Sequence, residues 1–363
     1  MKILHCADLH LDSKMEARLS PIQAKERKRE LIHAYNQTVD FAVQNGISAV
    51  IIAGDLFDSK TATRKTVNAV ADKIKSCPMI DFFYVAGNHD AGKFAFDGYD
   101  LPNLHIFGEK FSKKTYTLSS GKQLAIGGNE ITNTNCKSFY GAIDFSVNDI
   151  NILVLHGQES SVAGEDNVCL PSLKNIGIDY LALGHIHSFK KEKLDQRGVY
   201  SYSGCLAGRG FDECGQKGFA VIEINEENNT VTSDFLPLKS RGITEVECNI
   251  TDKTSFSDIS IAAKTALNNI SSEQIVRLLL VGEYTAETEK DIVALLEMFQ
   301  SKFYYFEIKD RSVLKIDPSQ YENDISLRGE FIRTVLSSRL TNEDKDSVIY
   351  CGLKALSGEE FEI

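Results

Sequence analysis

No stretch of this 363-residue chain approaches the roughly 18 consecutive apolar residues of a membrane span. The opening residues, Met1-Lys2-Ile3-Leu4-His5-Cys6, lack the long apolar core of a secretory leader. Both absences predict a cytoplasmic protein that does not engage a membrane. The eight cysteines, scattered from Cys6 to Cys351, include no CxxC pair. They are expected to be reduced, with several buried. There is no repeat of fixed period and no low-complexity tract. Positive charge is also scarce: 40 Lys and Arg stand against 51 Asp and Glu, a net charge of -11. A nucleic-acid partner needs Lys and Arg for its phosphates, so this balance does not favour one unless the acidity sits at metal ligands or on remote faces. Three local basic clusters exist, at Lys25–Arg29, at Lys110, Lys113 and Lys114, and at Lys190, Lys191 and Lys193. Each reads most simply as a solvated face.

What is present is ordinary globular material, 42% hydrophobic and 25% charged, in a chain long enough for about two domains. The first half repeats one pattern: a short apolar run, then a polar motif. Ile3 and Leu4 lead into ADLHLD. Ala49–Ala53 ends in GDLFD, and Asp81–Ala86 ends in GNHD. Ile150–Leu155 ends in His156-Gly157, and Ile178–Leu183 ends in GHIH. Apolar runs of this length bounded by Gly and Asp read as buried strands. Between them, Pro21–Gln44 carries Leu31, Ala34, Tyr35, Thr38 and Phe41 at helical spacing. Thr61–Cys77 carries Val67, Val70 and Ile74 likewise, with Gly46 and Pro78 as stops. Strand and helix in alternation imply a layered α/β domain, and such domains bind ligands beyond the carboxyl ends of their strands. Every polar motif lies at such an end, which predicts that five separate fragments form one cluster.

Thr115–Asn129 and Val199–Leu238 change character, to short alternating segments with turns rich in Gly and Asn. They read as antiparallel strands of a second sheet packed on the first. After Pro237 the pattern predicts a small α+β module. Two helices follow, over 327–340 and 342–356, the first with an apolar stripe of Leu327, Phe331, Val335 and Leu336. The expected domains are 1–240, 241–320 and 321–363.

The strand-end residues are Asp8, His10, Asp55, Asn88, His89, His156, His185 and His187, which include five of the chain's eight histidines. A mixed Asp/Asn/His set suits first-row divalent ions rather than soft metals. Eight residues are too many for one ion and suit two. A pair of metals about 3.5–4 Å apart activates water and clamps a phosphate during in-line displacement. Such a pair needs a bridging carboxylate, for which Asp55, in the middle of the set, is the natural choice. A leaving alkoxide needs a proton or charge stabilisation, and His89, beside Asn88, can give either.

The ordered set D-L-H, G-D-L-F-D, G-N-H-D, H-G and G-H-I-H resembles the calcineurin-like metallophosphoesterase superfamily over roughly residues 1–240. That resemblance implies a four-layer β-sandwich flanked by helices, followed by the small α+β capping domain and the C-terminal helices. It implies one metal held by Asp8, His10, Asp55 and His187, and a second held by Asp55, Asn88, His156 and His185. The usual ion is manganese, with His89 acting at the leaving group or transition state. HCADLHLDS, GRGFDECGQKG (208–218) and LRGEFIRTVLSSRL further resemble the DNA repair exonuclease branch, of the bacterial SbcD and YhaO type. This implies a 3′-to-5′ DNA exonuclease with some endonuclease activity. It would work as a homodimer with a coiled-coil SMC-like ATPase, docked through the C-terminal helices. Two residues are candidates for substrate contact: Arg209 for phosphate and Phe94 for bases, the latter beside Phe96 and Tyr99. Two other functions remain open from the residues alone: a phosphoesterase for nucleotides or phosphoproteins, and a noncatalytic scaffold for an ATPase.

Overall fold

The computed structural model describes residues 1–15, 19–58, 62–90, 95–228, 230–285, 288–315, 321 and 323–357. Phe94 lies outside them. The chain divides into two compact units, Met1–Ile243 and Thr244–Ile363.

The first unit is built on two six-stranded sheets. Strands β1 (Lys2–Cys6), β2 (Ala49–Ala53), β3 (Asp81–Val85) and β4 (Leu104–Phe107) are parallel neighbours. Helices α1 (Pro21–Gln44) and α2 (Arg64–Lys75) connect the first three. Both helices begin as their sequences direct. Ser20 and Gln23 form a capping box with Pro21 in the first turn, and Thr63 caps α2. The second sheet takes β5 (Ser112–Thr117), β6 (Gln123–Gly128) and β7 (Ile150–His156). After a short parallel pair, β8 (Gln158–Ser160) and β9 (Asn167–Cys169), it is completed by β10 (Tyr180–Gly184), β11 (Lys190–Lys193) and β12 (Val199–Tyr202).

The segment from 199 to 238, expected to belong to the second sheet, divides between the two. Strand β12 joins β10, whereas β13 (Gly218–Asn225) pairs antiparallel with β1 and carries β14 (Thr230–Pro237) on its outer side. Strand β1 has room for this because β2 occupies only one of its edges.

Parity along the strands explains the unbroken apolar runs. Leu4, Val50, Ile52, Phe82 and Tyr84 face a core shared with α1 and α2. Ile3, Ile51, Phe83 and Val85 face a second core, together with Ile126, Ile152, Val154 and Ala182 of the other sheet. Strands covered on both faces are apolar at every position. Phe83, with no exposed surface, sits in the layer between the sheets, and Phe83→Ala there would cost about 3–5 kcal/mol. The far side of the second sheet packs Leu153, Leu155, Leu181 and Leu183 against Phe139 and Leu173. Those two sit in short 3-10 turns, Phe139–Ala142 and Leu170–Leu173.

The second unit contains β15 (Ile243–Asn249), α3 (Phe256–Leu267), β16 (Ile275–Val281), the two-residue β17 (Glu283–Tyr284), α4 (Ile292–Phe299), β18 (Tyr305–Asp310) and β19 (Val313–Leu314). Its three-stranded sheet, ordered β15-β16-β18, shares a core with α3 and α4. Phe306 belongs to that core, stacked against Phe303. Helices α5 (Leu327–Leu336) and α6 (Asn342–Ser357) pair around a separate cluster containing Ile332, Val335, Ile349 and Leu353. A Cβ on Gly352 would come within 2.1 Å of the Phe331 ring, so glycine there is what permits the close approach of the two helices. Much of the predicted apolar stripe is therefore used between α5 and α6. Leu327, Val348 and Leu356 remain exposed. No helix among the described residues is long and apolar enough to cross a membrane.

Candidate active site

The five motifs leave the carboxyl ends of β1, β2, β3, β7 and β10, and the backbone there is unusual. Asp8, His10, Asp55 and His185 have φ of 53°, 44°, 50° and 105°. L-residues in the left-handed region cost on the order of 1–2 kcal/mol each, and such residues concentrate at functional sites. The surroundings enforce these turns. Asp8 N–H donates to the Gly54 carbonyl (3.1 Å) and His10 N–H to the Asp55 carbonyl (2.8 Å). Close approach also demands glycine at two positions. A Cβ on Gly54 would lie 2.0 Å from His156 Nδ1, and one on Gly87 would lie 2.2 Å from Asp55 Oδ1.

The side chains converge. Asp55 Oδ2 lies 3.5 Å from His10 Nε2 and equally 3.5 Å from His156 Nε2. Its other oxygen accepts the His89 N–H at 3.0 Å. His10 Nε2 is 3.2 Å from His187 Nε2, and His156 Nε2 is 3.2 Å from Asn88 Oδ1. Asp8 Oδ1 accepts the His185 N–H (2.9 Å), while its buried Oδ2 has no hydrogen-bond partner. Two groups, Asp8 with His10 and His187, and Asp8 with Asp55 and His156, bring ligand atoms within 4.8 Å of one another. His185 is not in either group; its ring packs edge-on against His156 with centroids 5.5 Å apart. The His89 side chain is exposed, its ring centroid 5.4 Å from that of His10.

This arrangement fits divalent cations on its own evidence. The outward nitrogens of the three histidines are all occupied. His10 Nδ1 bonds Asp58 (3.0 Å), His187 Nδ1 bonds Glu213 (2.7 Å), and His156 Nδ1 bonds the Ala53 carbonyl (2.9 Å). Those acceptors place the protons on Nδ1, so each Nε2 turns a lone pair inward. Acceptor atoms then face acceptor atoms at 3.2–3.5 Å, close to the roughly 3 Å that separates neighbouring ligands around one small divalent ion. Without a cation, protons must serve. Burial opposes charge on His156, but the Asp55 hydrogen bond and the charges of Asp55 and Asp8 outweigh it and push its pKa up to about 9. Burial also opposes charge on His187, and Glu213 and Asp8 raise its pKa nevertheless. Asp8 is raised, chiefly by burial. Asp55 is lowered, because His156 and His10 overcome its burial.

Three residues that the motif pattern does not single out support the site. Asp58, the last residue of GDLFD, holds His10. Glu213, inside GRGFDECGQKG, holds His187. Asp90, the last residue of GNHD, is buried and accepts the N–H groups of Leu56 (3.1 Å), Phe57 (2.7 Å) and Gly87 (3.0 Å), tying two motif loops together. Both aspartates end motifs quoted above and Glu213 lies within GRGFDECGQKG, but none was distinguished there from its neighbours. Arg209, expected to meet phosphate, has its guanidinium bonded to Asp58 (3.0 Å) and Glu213 (2.7 Å). Phe96 is packed against Phe57 and Tyr84.

Residues 1–189 match the family model of the calcineurin-like phosphoesterases. The chain belongs to that family. Calcineurin-like phosphoesterases are dimetal-dependent hydrolases, and the structure holds two candidate ligand groups. The chain is 26% identical over 251 residues to the uncharacterized metallophosphoesterase YhaO of Bacillus subtilis, covering 65% of this chain and 60% of that protein. It is 24% identical over 388 residues to the DNA double-strand break repair protein Mre11 of Saccharolobus solfataricus, covering 99% of this chain and 96% of that one. A dimetal phosphatase from Danio rerio is 11% identical over 61% of this chain and 92% of its own, at a TM-score of 0.39.

Proposed function

We propose that this phosphoesterase is a two-metal phosphodiesterase acting on DNA, the nuclease subunit of a repair complex with an SMC-like ATPase. Asp8, His10, Asp55 and His187 would hold one ion and Asp55, Asn88, His156 and His185 the other, with Asp55 shared between the two sets. The observation that carries this reading is the position of Asp55 Oδ2, 3.5 Å from a histidine nitrogen of each set. When bound, the two ions, manganese by family habit, activate water and offset the charge of the phosphate in flight. The chain's own contribution is to aim the ligands before substrate arrives. His89, exposed beside the cluster, donates a proton or a hydrogen bond to the leaving oxygen.

DNA as substrate is supported by the similarity to the Mre11 DNA double-strand break repair proteins, and the net charge of -11 runs against it. Several lysines of its basic clusters already have partners: Lys113 with Asp144, Lys114 with Asp81 and Lys190 with Glu159. Arg27 is fully buried. A partner ATPase, docked at the exposed apolar residues of α5 and α6, would supply the missing positive charge, and a homodimer would double the site. The net charge of -11 favours a second reading, hydrolysis of a smaller phosphoester.

One assay separates the two. Manganese-loaded protein is incubated with 5′-labelled duplex DNA, a cyclic nucleotide and a phosphopeptide. The nuclease reading expects metal-dependent shortening of the DNA from its 3′ end. Turnover of the small substrates alone would replace it with the second reading.

A further inference from the structure

Arg209 stands at the centre of a closed ring of polar contacts. Its Nε and Nη2 donate to Glu213 Oε1 at 3.0 and 2.7 Å, and its Nη1 donates to Asp58 Oδ1 at 3.0 Å. The same Glu213 oxygen accepts His187 Nδ1 and the same Asp58 oxygen accepts His10 Nδ1. The two imidazoles then meet again through their Nε2 atoms. Glu213 is almost fully buried, so its charge needs the cation beside it. The loop that carries Arg209 and Glu213 is itself pinned. Buried Arg27 of α1 donates to the Gly208 carbonyl (2.6 Å), and Lys217 donates to the His187 carbonyl (2.8 Å).

We infer that Arg209 is a positioning residue that orients His10 and His187 together, through Asp58 and Glu213, and so tunes one of the two metal centres and not the other. The inference rests on the two-metal reading. The asymmetry comes from the second set. There His156 is aimed by the Ala53 backbone carbonyl, which no side-chain substitution removes. A guanidinium is suited to the task because its rigid fork bonds two carboxylates at once, which a lysine ammonium cannot match in geometry. The ring also explains the spacing of R-x-x-x-E within GRGFDECGQKG. The short 3-10 turn Phe211–Glu213 returns Glu213 to the Arg209 N–H (2.7 Å) as well as to its side chain.

The test is calorimetric titration of the full-length, metal-free protein with Mn²⁺, for the wild type and for Arg209→Gln, Arg209→Lys and Glu213→Gln. The wild type should bind two ions. Arg209→Gln should keep one at unchanged affinity and bind the other roughly 10–100-fold more weakly, the usual effect of losing an outer-shell partner. Arg209→Lys should fall between them. Arg209→Gln combined with Glu213→Gln should cost less than the product of the single effects, since both break one ring. Full affinity for both ions in Arg209→Gln, with only the KM for a phosphodiester raised, would overturn the inference and make Arg209 a substrate contact. Equal weakening of both ions, with a lower melting temperature of the metal-free protein, would overturn it in favour of a purely structural role. A wild type that binds no manganese would instead remove the two-metal reading beneath it.

Discussion

The Nε2 atoms of His10 and His187 lie 3.2 Å apart, and each ring has its other nitrogen bonded to a carboxylate. With the outer nitrogens engaged, the two inward nitrogens share a position that a proton or a cation can fill, and a divalent ion placed there should stabilise the fold as well as activate it. At a free concentration 100 times its Kd, an ion bound only by the native state adds about 2.7 kcal/mol. A thermal melt with excess Mn²⁺ should therefore run several degrees above one with chelator. Coincident melts would show that the cluster does not bind the ion.

Asp55→Asn keeps the shape of the side chain and removes its charge. Because one Asp55 oxygen reaches towards both histidine sets, this variant should lose metal and activity together. Loss of several kcal/mol of charge stabilisation corresponds to a rate reduction of more than about 100-fold. Elemental analysis of the purified variant is the direct check. Two tightly retained ions would remove Asp55 from the bridging position.

His89→Ala should separate binding from chemistry. The side chain is exposed, and only its backbone N–H, which survives the substitution, bonds Asp55. Metal content should stay at the wild-type level while turnover falls by about 10²–10⁴-fold, the range for a lost general acid. Unchanged turnover with two ions bound would exclude His89 from the reaction.

Away from the site, Asp81 joins β3 to β5. It accepts from Lys114 (2.8 Å), Tyr116 (2.6 Å) and His105 (2.9 Å). Burial alone would raise its pKa, but these three bonds lower it below the ordinary carboxylate value. A depressed folded-state pKa gives stability that is present above the unfolded pKa, near 4, and is lost as pH falls through the folded value. Solvent screening limits the effect to the order of 1 kcal/mol. Urea unfolding should find the wild type more stable than Asp81→Asn at pH 7, with the gap closing below about pH 4. A gap that persists at pH 2–3 would mean that the Asp81 charge is not its source.

Much of the site is legible in the sequence because it is built from strand ends. An apolar run such as Ala49–Ala53 announces the strand, and the polar residues that interrupt it mark where the sheet stops. Helices α1 and α2 announce themselves by the spacing of Leu31, Ala34 and Tyr35 and of Val67, Val70 and Ile74, with Gly46 and Pro78 as stops. Long-range pairing leaves no such mark. Nothing in Phe219-Ala220-Val221 says that its partner is β1, more than 200 residues earlier. Arg209 shows the same gap at the level of one side chain. A lone arginine in a glycine-rich loop reads as a phosphate contact, whereas its partners are Asp58, 151 residues away, and Glu213, four residues away. A motif names the ligands because chemistry restricts their types, but the residues that aim those ligands can come from any loop that passes nearby.

Asp8, His10, Asp55 and Asn88 extend from the first sheet, while His156, His185 and His187 extend from the second. Ions held between them would rivet the two halves of the sandwich at one end. The reaction centre is then also a fastener. In metal-starved conditions the protein would be not only idle but also easier for proteases to prise open along the seam between its sheets.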